Sequence, residues 1–462
     1  MPQLTDDRSL GAQAAESLIR GLGRRGFLRA AAGAGAAGAL TACGGSALAS
    51  APGPAVAPAG AGSAGWGGAV LQPHSGEILG QHYLTSEVDD VLWGYVPTVH
   101  ARPVTTVRSG ETVTIDAVSH EGIMEDQGRD PHAFFAGHGV GPEQVLSDAA
   151  AIAAGYVRTL RDFDLDGPHV VTGPIAVEGA EPGDVLKVET LDARPRVPYG
   201  VVSSRHGKGA LGLRPDGTPP AGVGEDEVMP PTALDGRGTG DPLEYGNLSV
   251  FTAIEGDRGV MRSGQARLSF PLRPFFGMMG VAVADAPGLT DPTANSIPPT
   301  LGGGNIDIRH LGVGSALYLP VSAEGALFYV GDPHMAMGDG EVALTAVEGS
   351  LRGTFRLTVC KPGSGEAPSV AHSYPFGETE EHWIPTGLSD PDGAAGPEQN
   401  TDVNVAMRRA VVNALDFLEH DRGIERGVAY AYLSAAADFS LSQVVDRTTG
   451  VHGLIRKADL LS

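Results

Sequence analysis

The residues best suited to chemistry fall in one short stretch, residues 331–341 (GDPHMAMGDGE). It holds an Asp-x-His pair, Asp332 and His334, and an Asp-Gly-Glu turn, Asp339, Gly340 and Glu341. Carboxylates beside an imidazole suit a divalent ion or a polarised water. On an extended backbone the i, i+2 spacing sends Asp332 and His334 to the same side. Residues 327–330 (LFYV) and 342–347 (VALTAV) flank the stretch, so it is expected to be a loop joining two strands. A second loop of the same character lies upstream at residues 302–310 (GGGNIDIRH), where glycines let the backbone approach a ligand closely. The metal-ligand candidates are Asp307, Asp332 and His334. Asn305 could donate to a substrate carbonyl or ligate through its own oxygen, and Glu341 is the candidate general base. Taken singly, Asp332 and Asp339 could cap turns, His334 could be a satisfied buried histidine, and Glu341 could open a solvent-facing strand. The clustering overrides that for Asp307 and His334.

A second polar cluster occupies residues 119–140, with His120, Glu121, Glu125, Asp126, Asp130, His132 and His138. Charged loops are usually solvated, which is the reading for Glu125, Asp126 and Asp130. His120 and Glu121 follow a core strand directly and are therefore held on rigid structure, which makes them catalytic candidates. His169 is a further candidate and His206 a weaker one, while Glu178 and Glu324, in matching E-G-A turns, read as strand-end anchors. No G-x-S-x-G is present, and Ser203-Ser204 beside Lys208 lacks the glycine/serine-rich frame of a serine amidase. Cys360 has no adjacent histidine or acid, so it reads as structural. Water activated by a metal or a carboxylate remains. A divalent ion, zinc or calcium, would polarise a carbonyl and make water more acidic.

The elements that must position these residues read mainly as β. The chain has 67 glycines and 34 prolines. Residues 109–118, 182–191 and 338–347 each set a Gly-acidic turn before a strand. In the first, Val113, Ile115 and Ala117 alternate with Thr112, Thr114 and Asp116, so Asp116 falls on the outward face. The expected fold class is mainly β with minor α: antiparallel sandwich or jelly-roll-like subdomains and a few peripheral helices, some near the C-terminus. Helical spacing runs over residues 142–163, 402–418 and 426–437. Residues 211–246 and 361–396 read as long surface excursions, with His372, Tyr374, Phe376, His382 and Trp383 in the second as candidates for a flap over the site.

Residues 24–29 (RRGFLR) read as a twin-arginine export signal, followed by a weakly apolar run too short for a membrane span. Residues 40–43 (LTAC) then read as a lipobox that makes Cys43 the lipid-modified N-terminus, with cleavage after Ala49 as the competing site. The expected organisation is a signal over residues 1–43, a flexible Pro/Ala/Gly/Ser linker over 44–70, and a catalytic domain of two packed subdomains over 71–462. Export by the twin-arginine route would place the protein in the cell envelope as a lipoprotein, or in the periplasm or outside the cell. The formal net charge of −23 argues against nucleic acid and against a basic face on anionic lipid. With Cys43 in the signal, Cys360 stands alone and no intrachain disulfide forms.

Together, residues 302–310 and 331–341 resemble the acetamidase/formamidase family, hydrolases of short aliphatic amides. Residues 172–188 (TGPIAVEGAEPGDVLKV) look like its central block, 317–326 (LYLPVSAEGA) like the strand and turn between the two loops, and 441–446 (LSQVVD) like its C-terminal signature. Asp116 matches an acidic position of the family, which adds it to the metal-ligand candidates. The segment over residues 119–140 is richer in histidine and acid than a plain formamidase, and the export signal suggests an exported subgroup with its own substrate. The resemblance implies cleavage of the C–N bond of a small linear carboxamide to carboxylate and ammonia. Partners implied are the amide substrate and the twin-arginine translocase; a lipid anchor and a homo-oligomer are both compatible. The rival reading is a small-molecule-binding lipoprotein without turnover, against which stands the lack of two alternating α/β lobes.

Overall fold

The structure is a computed structural model. It describes residue 66 and residues 68–460, apart from 164, 215, 231–246, 284–292 and 396–400. The signal, most of the linker and the second half of the 211–246 excursion lie outside the described residues.

The Val-, Ile- and Thr-rich runs form two large, mostly antiparallel sheets. The first has nine strands in the order His82–Leu84, Thr112–Ala117, Leu351–Cys360, Val185–Pro195, Ala316–Pro320, Phe376–Glu378, His382–Leu388, Gly450–Arg456 and Asp438–Gln443. The central path of the second runs from Ala266–Pro271 through Arg258–Ser263, Asn247–Glu255, Tyr199–Arg205, Val347–Glu348, Phe328–Ala336 and Phe275–Gly280 to Gly303–Asn305. Val170–Glu178 pairs with Phe328–Ala336 on this sheet and carries Val91–Trp93 and Thr105–Arg108. The sheets meet through a shared apolar core, where Phe276 and Phe328 of the second pack their rings on Phe355 of the first at 5.1 and 5.9 Å. The fold is therefore mainly β with few helices, as the alternation and turn density imply. The two C-terminal helices, Val403–His420 and Arg426–Ala436, lie where the spacing places them and enclose a second core around Phe376, Trp383 and Phe417.

Several local expectations are corrected. The helix expected over residues 142–163 is a 3-10 turn, Pro142–Gln144, and a short helix, Ser147–Gly155. Beyond it Arg158 binds the carbonyls of Asp89 and Val91, which fixes an extended path and leaves Leu160 95 % exposed. Residues 361–396 do not form a flap: Phe376–Glu378 and His382–Leu388 join the first sheet, and Phe376 and Trp383 are buried. The strand expected to stop before Gly331 continues to Ala336, so Asp332 and His334 sit on a strand. Residues 342–346 turn rather than extend, and only Val347–Glu348 re-enters the sheet.

Asp116 is neither outward-facing nor a ligand. Its strand lies between two others with both faces covered, so Asp116 and Thr114 are fully buried. Arg352 grips both carboxylate oxygens at 2.6 and 2.8 Å, Tyr83 donates to Oδ2 at 2.7 Å, and Arg196 stands 3.5 Å away. A carboxylate so occupied is a structural ion pair with no oxygen left for a cation.

Candidate active site

Seven segments converge with the loop Gly303–Asn305 and its continuation. The strand Phe328–Ala336 supplies Asp332 and His334, and its antiparallel neighbour places Glu348 opposite His334 in register. The neighbour on its other side, Phe275–Gly280, contributes a glycine at the point of contact. A Cβ at Gly277 would fall 2.3 Å from Asp307 Oδ1, 2.6 Å from Asp332 Oδ2 and 2.6 Å from His334 Cε1. His120 follows the strand Thr112–Ala117, and His169 directly precedes Val170–Glu178. Glu341 comes from the turn after Ala336, and Asp446 from the turn between the last two strands. Asp307, Asp332 and Glu341 hold φ of 47°, 51° and 45°, the left-handed region that non-glycine residues avoid. Strain of this kind concentrates where surrounding packing fixes a site.

His334 Nε2 lies 2.9 Å from Asp332 Oδ2 and 3.0 Å from Glu348 Oε1, with Glu341 Oε1 at 3.9 Å. On its other side Nδ1 faces Asp307 Oδ1 at 3.8 Å. His169 Nε2 approaches Asp332 Oδ1 to 3.5 Å, and His120 Nδ1 stands 3.9 Å from the same oxygen and 4.0 Å from Glu348 Oε2. His169 Nδ1 is 3.0 Å from Ser296 Oγ; with the ring proton there, the Nε2 lone pair faces Asp332. All these side chains are buried. Both nitrogens of His120 and of His334, both oxygens of Asp307, Glu348 Oε2 and Asn305 Oδ1 lack a hydrogen-bond partner. The two short His334 contacts are thus near in distance but not aligned as hydrogen bonds.

The electrostatics follow from packing five carboxylates, Asp307, Asp332, Glu341, Glu348 and Asp446, with three imidazoles, His120, His169 and His334, away from water. Burial, reinforced by neighbouring carboxylates, holds the Asp307, Glu341 and Asp446 carboxyls well above their ordinary range. Burial also lifts Glu348, to about 7, against the pull of His334. Asp332 is the exception: burial opposes ionisation there, but His334, His169 and His120 outweigh it and keep the carboxylate well below the usual range. Burial lowers His169 to about 4, so it is neutral near pH 7. Burial works against charge on His120 and His334 as well, yet their carboxylate neighbours raise both. So dense a buried negative charge calls for protons or a cation. Ligand atoms of His120, His169 and Asp332, of Asp332, His334 and Glu348, and of Asp307, His334 and Glu341 lie within 4.8 Å of one another in each group. Orphaned ligand atoms, a glycine floor and a neutral imidazole all fit a divalent ion.

A cavity of about 650 Å³ opens over this cluster, with His120, His169, Asn305, Asp332, Glu341 and Glu348 in its wall. Asn305 gives its Nδ2 hydrogen to the Ile297 carbonyl at 3.2 Å, which leaves Oδ1 as the open acceptor. Glu121 lies behind His120, 3.5 Å from its Nε2, and does not face the cavity. Its Oε2 accepts from Ser203 Oγ at 2.6 Å and from Gln127, and His120 and Arg205, overcoming burial, hold its pKa down at about 2. Ser203 is thereby committed to Glu121. Cys360 is buried elsewhere, and burial pushes its thiol up to about 11. His132 and His138 are exposed, and Asp126 is paired with Arg205 at 2.7 Å.

The structure thus brings together His120, Asn305, Asp307, Asp332, His334 and Glu341, and leaves out Asp116. Sequence reasoning missed Glu348 and Asp446 and under-weighted His169. Asp446 closes the LSQVVD run, which could have pointed to it. Glu348 has no local signal, since only strand register brings it to His334.

A mainly β protein that gathers imidazoles and carboxylates at the foot of a cavity has the donor set of a hydrolytic centre. Residues 153–455 match the Acetamidase/Formamidase family, and the chain belongs to that family. The formamidase of Methylophilus methylotrophus is 28 % identical over 286 residues, 56 % of this chain and 69 % of that protein. The acetamidase of Mycolicibacterium smegmatis is 28 % identical over 298 residues, 56 % of this chain and 71 % of its own. Among solved structures, an acetamidase from Yersinia enterocolitica superposes with a TM-score of 0.56 at 25 % identity, covering 82 % of this chain and 93 % of its own. An acetamidase from Bacillus halodurans shares the fold with a TM-score of 0.56 at 24 % identity, over 82 % of this chain and 98 % of that one. His120 and Glu121 precede the family-matched span, so the place of His120 beside Asp332, with Glu121 behind it, is known from the fold alone.

Proposed function

We propose that this protein hydrolyses the C–N bond of a small linear carboxamide to carboxylate and ammonia. The observation that carries the reading is the buried, partnerless set of imidazole and carboxylate atoms at the foot of the cavity, in a chain of this family. Asp332, His334 and Glu348, with His120 and His169 beside Asp332, would hold a divalent ion. When bound, the ion would polarise the amide carbonyl, make water acidic enough to deprotonate near neutrality, and draw the raised carboxyls back toward ionisation.

The chain's own residues supply the rest. Asn305 Oδ1 accepts an N–H of the substrate amide and fixes which end faces the cluster. Glu341, whose carboxyl sits in the wall with a raised pKa, takes the proton of the attacking water as its oxygen bonds to the amide carbon. It returns that proton to the nitrogen as the C–N bond breaks, so one group serves as base and then as acid. Glu121 positions His120 from behind. The test is ammonia release from a panel of short linear amides, by protein loaded with divalent ion and by chelated protein. Turnover in the loaded sample alone supports the reading; no ammonia from any amide removes it.

We further propose export by the twin-arginine route and lipid attachment at Cys43, on the strength of residues 24–29 and 40–43. Among the described residues no helix is long and apolar enough to cross a membrane.

A further inference from the structure

Three of the segments that build the amide site also converge a second time. His310 lies three residues beyond Asp307, Asp339 two before Glu341, and His452 on the strand that follows the Asp446 turn. One side-chain ligand atom from each lies within 4.8 Å of the others, and the two imidazole rings stand 5.3 Å apart at 64°. His452 is fully buried; its Nδ1 is 2.9 Å from Ser442 Oγ, and its Nε2 has no partner. His310 Nε2 is likewise buried and without a hydrogen bond, as is Asp339 Oδ1, which rests 2.8 Å from Arg309 Nε without bonding geometry. Leaving a buried polar atom unpaired is costly, and each of these three neighbouring residues carries one.

We propose that His310, Asp339 and His452 form a second divalent-cation site, separate from the amide centre, that takes a zinc-class ion. Two imidazoles and one carboxylate are the donor set of zinc and its neighbours rather than of calcium or magnesium, which prefer all-oxygen shells. Ser442 fixes the His452 ring from its far nitrogen, the usual second partner of a ligating histidine. The ion replaces Arg309 as the charge partner of Asp339. Its role is a clamp. The turn before Glu341 is already tied to the C-terminal hairpin by Gly340 N–H donating to the Ser442 carbonyl at 3.0 Å. Joining His310 to both fixes the loop that carries Asp307 against the turns that carry Glu341 and Asp446.

The proposal does not depend on how the amide centre works, and the test keeps the two apart. The full chain is stripped with chelator, supplied with Zn²⁺ alone, desalted, and its zinc per chain counted by native mass spectrometry. His310→Ala, at a half-buried position, and His452→Gln, which keeps a polar group toward Ser442, should each carry one zinc fewer than wild type. His334→Ala, which disrupts only the amide centre, should keep the clamp ion, and adding His310→Ala should remove it. If His310→Ala, folded by its melting curve, holds as much zinc as its parent in both backgrounds, or if His334→Ala takes up none, the second site does not exist. A wild type that binds one zinc, lost in His310→Ala and kept in His334→Ala, would uphold this site while overturning the metal reading of the amide centre.

Discussion

Gly277 offers the most direct steric test of the cluster, because it touches the ligands without being one. A methyl group there would stand 2.3 Å from Asp307 Oδ1 and 2.6 Å from both Asp332 Oδ2 and His334 Cε1. Each separation is about 1 Å inside ordinary contact, which begins near about 3.5 Å. The backbone of Gly277 is not left-handed, so alanine adds bulk without backbone strain. Three side chains that meet at one point must therefore retreat together. Overpacking of this size costs about 1–3 kcal/mol of stability, and displacing reacting groups by about 1 Å costs on the order of 10²-fold in rate. Gly277→Ala should accordingly remain folded with a lowered melting temperature, bind less divalent ion, and release ammonia about a hundredfold more slowly. Gly338→Ala is the matched control, since a Cβ there meets nothing within 4 Å. Wild-type turnover and full metal content in Gly277→Ala would refute the geometry on which the site is built.

Chelated protein should lose stability as the pH rises from about 6.5 to about 8. Glu348 is raised to about 7 from a glutamate's unfolded 4.5, so its contribution is present below that lower value and fades as pH rises through the upper one. His334 and His120, also raised, act in the same sense, while His169, lowered to about 4, opposes it only as the pH falls below about 6.5. Melting temperatures across that range should fall for chelated protein and stay level with divalent ion; a rise with pH in chelated protein would contradict the charge balance. Cys360→Ala should leave turnover within a few-fold, on the order of 1 kcal/mol or less in the barrier, and a thousandfold loss in steady-state rate would instead make the thiol the nucleophile. The mature protein should begin at Cys43 and partition with membranes, with Cys43→Ala released or unprocessed. A mature N-terminus at Ser50 without a lipid adduct, read by mass spectrometry, would contradict this.

Local signals carried much of the architecture. Apolar alternation and turn density led to a β fold, and helical spacing placed Val403–His420 and Arg426–Ala436. At the site, i, i+2 spacing correctly joined Asp332 to His334, and the glycine-rich loop pointed to Asp307. What escaped depends on contacts remote in sequence. Glu348 matters because the register of two strands sets it opposite His334. Asp116 alternates with apolar neighbours as a solvent-facing residue would, yet Arg352 on the paired strand and Arg196 just past the strand Val185–Pro195, both remote in sequence, pair with it in the core. Leu160 continues a helical period that ends at Gly155, because Arg158 anchors the following residues elsewhere. In each case a charge or a pairing partner far along the chain overrode the local pattern.

The central claim is that a divalent ion and a separate proton carrier share one buried centre, and a paired measurement on two variants separates them. Bound metal by elemental analysis and ammonia release should be read on the same samples of His334→Ala and Glu341→Gln. Loss of a ligand leaves the ion under-coordinated, so His334→Ala should lose metal and activity together. Loss of the proton carrier should leave Glu341→Gln folded and loaded, with turnover down by roughly a hundredfold or more. Full activity of chelator-treated His334→Ala would contradict the account.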